Sequence, residues 1–198
     1  IVNLESILKS SDAKMAIAHT RWATHGVPSD TNSHPHLSND GKIAVVHNGT
    51  IDNYLDIKSM LEEEGFEFLS ESDTEVIPNL ISKYYDGDLV KAVSKILDII
   101  EGIYTIAAIH VDNSEQIVSV RNETPLVIGL GNDENYVASD IYAILKYTQQ
   151  IIYPNDHQIV SISPAEVNVF DESLKKIEFE VETVEKYTEV AEKGGFEH

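Results

Sequence analysis

Cysteine is absent from this 198-residue sequence. That excludes disulfide frameworks, thiolate metal sites and a cysteine nucleophile within these residues. Basic residues are scarce: 14 Lys and Arg stand against 34 Asp and Glu, a formal charge of −20. Nucleic-acid binders present a net basic face to phosphates, so that class is excluded too, and the charge is read as serving solubility. No apolar run approaches the roughly 20 residues that span a bilayer. The opening Ile1-Val2-Asn3-Leu4-Glu5-Ser6 lacks the basic and apolar regions of a signal peptide, and a cytoplasmic location is expected. No methionine stands at position 1, and the sequence reads as a fragment of a longer chain. What it does contain, 42% hydrophobic and 24% charged residues, suits a globular core, at a length between one large domain and two small ones.

Apolar periodicity predicts a short helix over 3–9 and an extended stretch, Met15-Ala16-Ile17-Ala18, before a long polar loop from Ala23 to Lys42. Ile43 to His47 has the pattern of a buried strand, closed by Asn48-Gly49, a turn dipeptide. A helix over 54–64, capped by Asp52 or Asn53 and ended by Gly65, is expected to present Leu55, Met60 and Leu61 to the core. Ser72 and Glu75 have capping-box spacing, which predicts a helix running to about Tyr85; another follows over 89–100. Strands are then predicted at 103–111, 116–121, 125–130, 135–138, 150–153, 157–162, 166–170 and 176–181, interrupted by a short helix near 140–147. Helices beside antiparallel strands, without strict βαβ alternation, indicate an α+β layered sandwich.

Five of the eight histidines, His19, His25, His34, His36 and His47, fall within 29 residues. Imidazoles with a nearby carboxylate suit a metal site, but no spacing of the His-Glu-x-x-His kind occurs. A hydrogen-bonded loop is the better reading for His19, His36 and His47. Arg21 emerges at a strand end, where a guanidinium grips a carboxylate or pairs with one of the many acids. Asp73 opens a helix, either as a first-turn acid or as a partner for an ammonium group. Asn48 and Gly49 offer an amide and a backbone N–H, suited either to an oxyanion hole or to an ordinary hairpin turn.

Four blocks occur in order: His19-Thr20-Arg21-Trp22-Ala23-Thr24-His25-Gly26, His34-Pro35-His36, Val46-His47-Asn48-Gly49 and Ser72-Asp73-Thr74-Glu75. They resemble the glutaminase domains of the glutamine–fructose-6-phosphate aminotransferase family, which are class II amidotransferases. Pro125 to Gly131 and Ala138-Ser139-Asp140 are similar as well. The resemblance implies a four-layer αββα sandwich of the N-terminal-nucleophile hydrolase type, incomplete here because N-terminal strands are missing. Residues 1–183 would form the type-2 amidotransferase domain, and 184–198 a linker towards an absent sugar isomerase domain. The substrate would be L-glutamine, without cofactor or metal, and the parent a homodimer. Arg21 would bind the glutamine carboxylate and Asp73 its ammonium, with Thr24 and His25 lining the pocket. Asn48 and Gly49 would form the oxyanion hole, and Trp22 would gate an ammonia channel. The family's nucleophile is an amino-terminal cysteine, so it would lie upstream of Ile1. Three other readings remain: a non-catalytic glutamine-binding domain, a metal-dependent hydrolase, and an amidotransferase with another acceptor domain.

Overall fold

The computed structural model describes residues 13–20 and 26–184. β1 (His36–Leu37), β2 (Ile43–Ile51), β3 (Gly102–His110), β4 (Asn113–Asn122), β8 (Ile159–Ile162), β9 (Val167–Phe170) and β10 (Lys176–Ile177) form one sheet in that order. A second sheet has the order β11 (Glu182–Thr183), β7 (Gln150–Ile152), β5 (Val127–Leu130), β6 (Asn135–Ala138). All the paired neighbours in both sheets are antiparallel. α1 (Tyr54–Glu63), α2 (Val76–Tyr84) and α3 (Leu89–Leu97) follow β2 in the chain.

The strand period of two sorts side chains between layers. Ile43, Val45 and Ile51 of β2, Tyr104, Ile106 and Ala108 of β3, and Val118 and Val120 of β4 share one core with Ile57, Leu61, Ile77, Leu80, Val93 and Ile96 of the helices. Val160, Ile162 and Val169 turn the other way and meet Leu126, Ile128 and Ile152 between the sheets. Val127 and Ile151 face outward from the second sheet onto Ile144, beside a 3-10 turn, Ile141–Ala143. The layers therefore run helices, sheet, sheet and a thin outer cover, as expected for the αββα sandwich.

Several boundaries fall where the pattern put them, β6 among them, but four expectations are corrected. Asn48-Gly49 does not close a turn: β2 runs through it to Ile51, paired with β3 along its whole length. Leu55 is exposed, and Ile57 with Leu61 forms the buried face of α1. The helix expected near 140–147 is only the 3-10 turn Ile141–Ala143, capped by Asp140, whose carboxylate accepts from Tyr142 N at 2.9 Å. Ser72 does cap, accepting from Thr74 N at 3.2 Å. Glu75, however, does not close a box with Ser72. It accepts from Leu69 N (2.9 Å), Ser70 N (2.7 Å) and Ser70 Oγ (2.6 Å), tying the preceding loop to the helix start. The helix expected over 3–9 and the tail beyond Val184 lie outside the described residues.

Candidate active site

β2 carries neighbouring residues to opposite faces of the larger sheet. Asn48 faces a cavity of about 130 Å³ between the two sheets, whose walls include Ala18, His19, Thr105, Ser119, Leu126 and Ala138. Its amide oxygen lies 2.6 Å from His19 Nε2. An amide oxygen only accepts, so His19 donates from Nε2, and the Asn48 NH2 is turned away from the imidazole.

Gly49 follows with φ +124, and a Cβ built there would stand 2.0 Å from the Ile103 carbonyl oxygen of β3. Glycine is required both by that backbone angle and by the close approach of the paired strand. An Asn-Gly pair is thus held in the middle of a ladder that a hairpin turn would have ended.

His47 points to the other face and meets the start of the next helix. Its Nδ1 is 2.9 Å from Thr74 Oγ1, and His34 Nε2 is 3.1 Å from the same oxygen. Thr74 has one hydroxyl proton for two nitrogens. His47 Nε2 is buried with no hydrogen-bond partner among the described residues. An idle acceptor costs less than a stranded N–H. His47 therefore donates from Nδ1 to Thr74, and His34 Nε2 bonds the same hydroxyl. His34 also packs against the rings of His19 (4.4 Å between centroids) and His36 (5.0 Å). The cluster is a scaffold of hydrogen bonds and tilted or edge-on ring contacts, with His19 and His47 hydrogen-bonded as expected and His36 joined to it through its ring contact with His34.

Burial pushes the His47 pKa down from 6.5 to about 4; the Asp73 carboxylate opposes this, and His19 and His36 add to it. His47 is consequently neutral at neutral pH. Its folded value lies below its unfolded one, so its contribution is complete above pH 6.5 and is lost as pH falls towards 4. The full loss is roughly 3 kcal/mol by linkage. The urea midpoint is expected to drop over that window, and His47→Gln to flatten that part of the profile. Parallel profiles for the two proteins would remove His47 as the source.

Asp73 is 3% exposed and accepts from Ile51 N at 2.9 Å, which fixes it at the far end of β2. Ile51 lies three positions beyond Asn48, about 10 Å along a strand. An amino acid with a three-carbon side chain spans that distance with a hydrogen bond at each end. Arg21, Trp22, Thr24 and His25 lie outside the described residues. The chain on either side of them is anchored: His19 on Asn48, and Gly26 against Asn32. Asn32 in turn bonds Glu71 N at 2.9 Å and Val27 O at 3.0 Å. Asn32 lay outside the motif blocks, and His34 and Thr74, though members of them, were given no role of their own from the sequence. Membership of a block or closeness to one was their only signal, because what matters is which side chains meet across about 40 residues.

A two-sheet antiparallel sandwich with helices on one face and an asparagine amide at the wall of an intersheet cavity is the architecture of the N-terminal-nucleophile type of amidotransferase. Residues 19–146 match the glutamine amidotransferase domain family, and the chain belongs to it. It is 53% identical over 187 residues to the glutamine–fructose-6-phosphate aminotransferase [isomerizing] of Caldanaerobacter subterraneus subsp. tengcongensis, covering 94% of this chain and 31% of that protein. The enzyme of the same name from Fusobacterium nucleatum is 46% identical over 198 residues, covering 99% of this chain and 33% of the relative. The chain thus spans about a third of the length of the curated relatives it matches. Among solved structures, the glutamine phosphoribosylpyrophosphate amidotransferase from B. subtilis is similar with a TM-score of 0.65 and 25% identity, over 80% of this chain and 35% of that one.

Proposed function

We propose that this domain hydrolyses glutamine and supplies the ammonia for converting fructose 6-phosphate to glucosamine 6-phosphate within a longer polypeptide. The observation that carries the reading is the Asn48 amide, anchored through its oxygen by His19 at a cavity wall, with its N–H groups left to meet a developing negative charge. The names of the relatives supply the acceptor. A cytoplasmic, homodimeric parent with a sugar isomerase domain accompanies the proposal.

In this mechanism a cysteine thiolate attacks the glutamine side-chain carbonyl, and the tetrahedral oxyanion is held by Asn48 Nδ2 and Gly49 N. Ammonia leaves as the γ-glutamyl thioester forms, and water then releases glutamate and regenerates the thiol. Arg21 holds the substrate carboxylate and Asp73 its ammonium. Thr24 and His25 shape the pocket, and Trp22 gates the path of ammonia to the acceptor. No cofactor or metal takes part. The sequence contains no cysteine, so in this mechanism the thiolate is supplied from outside these 198 residues.

The purified 198-residue chain is accordingly expected to release no glutamate from glutamine. The full-length amidotransferase is expected to hydrolyse it, and replacement of its nucleophilic cysteine by serine to abolish turnover. Glutamate release by the 198-residue chain alone would sink the mechanism. Glutamine binding without hydrolysis by the full-length protein would favour a non-catalytic glutamine-binding domain instead.

A further inference from the structure

We infer that His19 is a positioning residue: it selects the rotamer of the Asn48 amide and so decides whether an oxyanion site exists. The inference rests on the reading of Asn48 as an oxyanion donor. A primary amide is ambivalent. Its NH2 end stabilises a developing negative charge, whereas its oxygen end, presented after a 180° flip, repels it. Oxygen and nitrogen have nearly the same size, so packing alone does not choose between them; a hydrogen-bond donor aimed at one end does.

His19 supplies that donor. Its Nε2 stands 2.6 Å from Asn48 Oδ1. In the flipped amide an NH2 group would face the imidazole N–H, donor against donor. The ring has its own support: it packs at 4.4 Å on His34, whose Nε2 is hydrogen-bonded to Thr74 Oγ1 at 3.1 Å. Thr74 is 1% exposed and adjoins Asp73. A single chain of contacts therefore runs from the amide proposed to meet the oxyanion to the turn carrying the carboxylate proposed to meet the ammonium. Both the neutral Nε2–H tautomer and the imidazolium donate from the same nitrogen, so the orientation survives protonation of His19.

The test uses the full-length amidotransferase and an almost isosteric pair of substitutions. His19→Gln retains an N–H donor, whereas His19→Glu places an acceptor-only carboxylate on the Asn48 oxygen. His19→Glu is expected to lower glutaminase kcat by about tenfold or more, approaching the loss typical of a missing oxyanion donor, with the glutamine KM changed by less than about twofold. His19→Gln is expected to recover most of that loss. Combined with Asn48→Ala, His19→Glu should add little, because residues acting through one group are non-additive. Equal kcat for the Gln and Glu variants, or a double variant whose losses multiply, overturns the inference. Loss of activity in Asn48→Ala separates that failure from failure of the oxyanion reading, which an undiminished Asn48→Ala would reveal. Should the Glu variant not fold, His19→Leu, which has no donor, takes its place: its kcat should fall while that of His19→Gln is largely retained, and the loss should not multiply when combined with Asn48→Ala.

Discussion

Asn48→Ala in the full-length amidotransferase is expected to lower glutaminase turnover by about 10²–10³-fold while the glutamine KM barely moves. The split follows from geometry. In the Michaelis complex the substrate carbonyl is neutral and asks little of a donor; in the tetrahedral intermediate its oxygen carries a full charge. A donor already oriented by His19 acts without reorganising at that moment, so the interaction is gained mainly in the transition state. Arg21 and Asp73, proposed to hold the other end of the substrate, are untouched by the change. Steady-state kinetics of glutamate release measures both constants. Unchanged kcat would remove Asn48 from the oxyanion site, and a large rise in KM at constant kcat would reassign it to ground-state binding.

Gly49→Ala is expected to act first on the fold. The Cβ would stand 2.0 Å from the Ile103 carbonyl oxygen and 2.9 Å from the Tyr104 Cα, both backbone atoms of the paired strand. No rotamer change relieves such a contact, because nothing at the end of a flexible side chain is involved. The φ of +124 adds strain for any residue with a Cβ. Strain and overlap together amount to about 2–6 kcal/mol, delivered to the β2–β3 ladder around which the larger sheet is built. Chemical unfolding reads the loss, and whatever protein folds should have lost glutaminase activity because the Gly49 N–H has moved. An alanine variant with the parent's unfolding midpoint would show that β2 and β3 separate at no cost.

Much of the fold was legible because local rules agreed. β6 falls where alternation puts it, and α3 begins at Leu89 as expected, capped by Asp88, whose carboxylate accepts from Val90 N and Lys91 N. Errors arose where a local signal met a tertiary demand. Asn48-Gly49 reads as a turn, yet the glycine serves a close strand approach, which only the presence of β3 explains. Leu55 and Ile57 both suit a helix face; which one is buried depends on where α1 lies against its neighbours. Glu75 has the spacing to cap its own helix but bonds the Leu69 and Ser70 amides, because the preceding loop folds back on it.

The site divided in the same way. Resemblance of the motif blocks named the residues, and the structure brought Asn48, Gly49 and Asp73 onto or against one strand, while Arg21, Trp22, Thr24 and His25 fall outside the described residues. The sequence by itself determined the class, the α+β layering, the absence of a thiol and the identity of the polar groups. These follow from residue type, period and order along the chain, which are local properties. Only the tertiary structure decided that His47 and Asn48 serve opposite faces of β2, that Thr74 bridges two histidines, and that His19 grips the amide oxygen. Such pairings join residues 27 to 40 positions apart. A hydrogen bond depends on distance and direction in space, and separation along the chain carries neither.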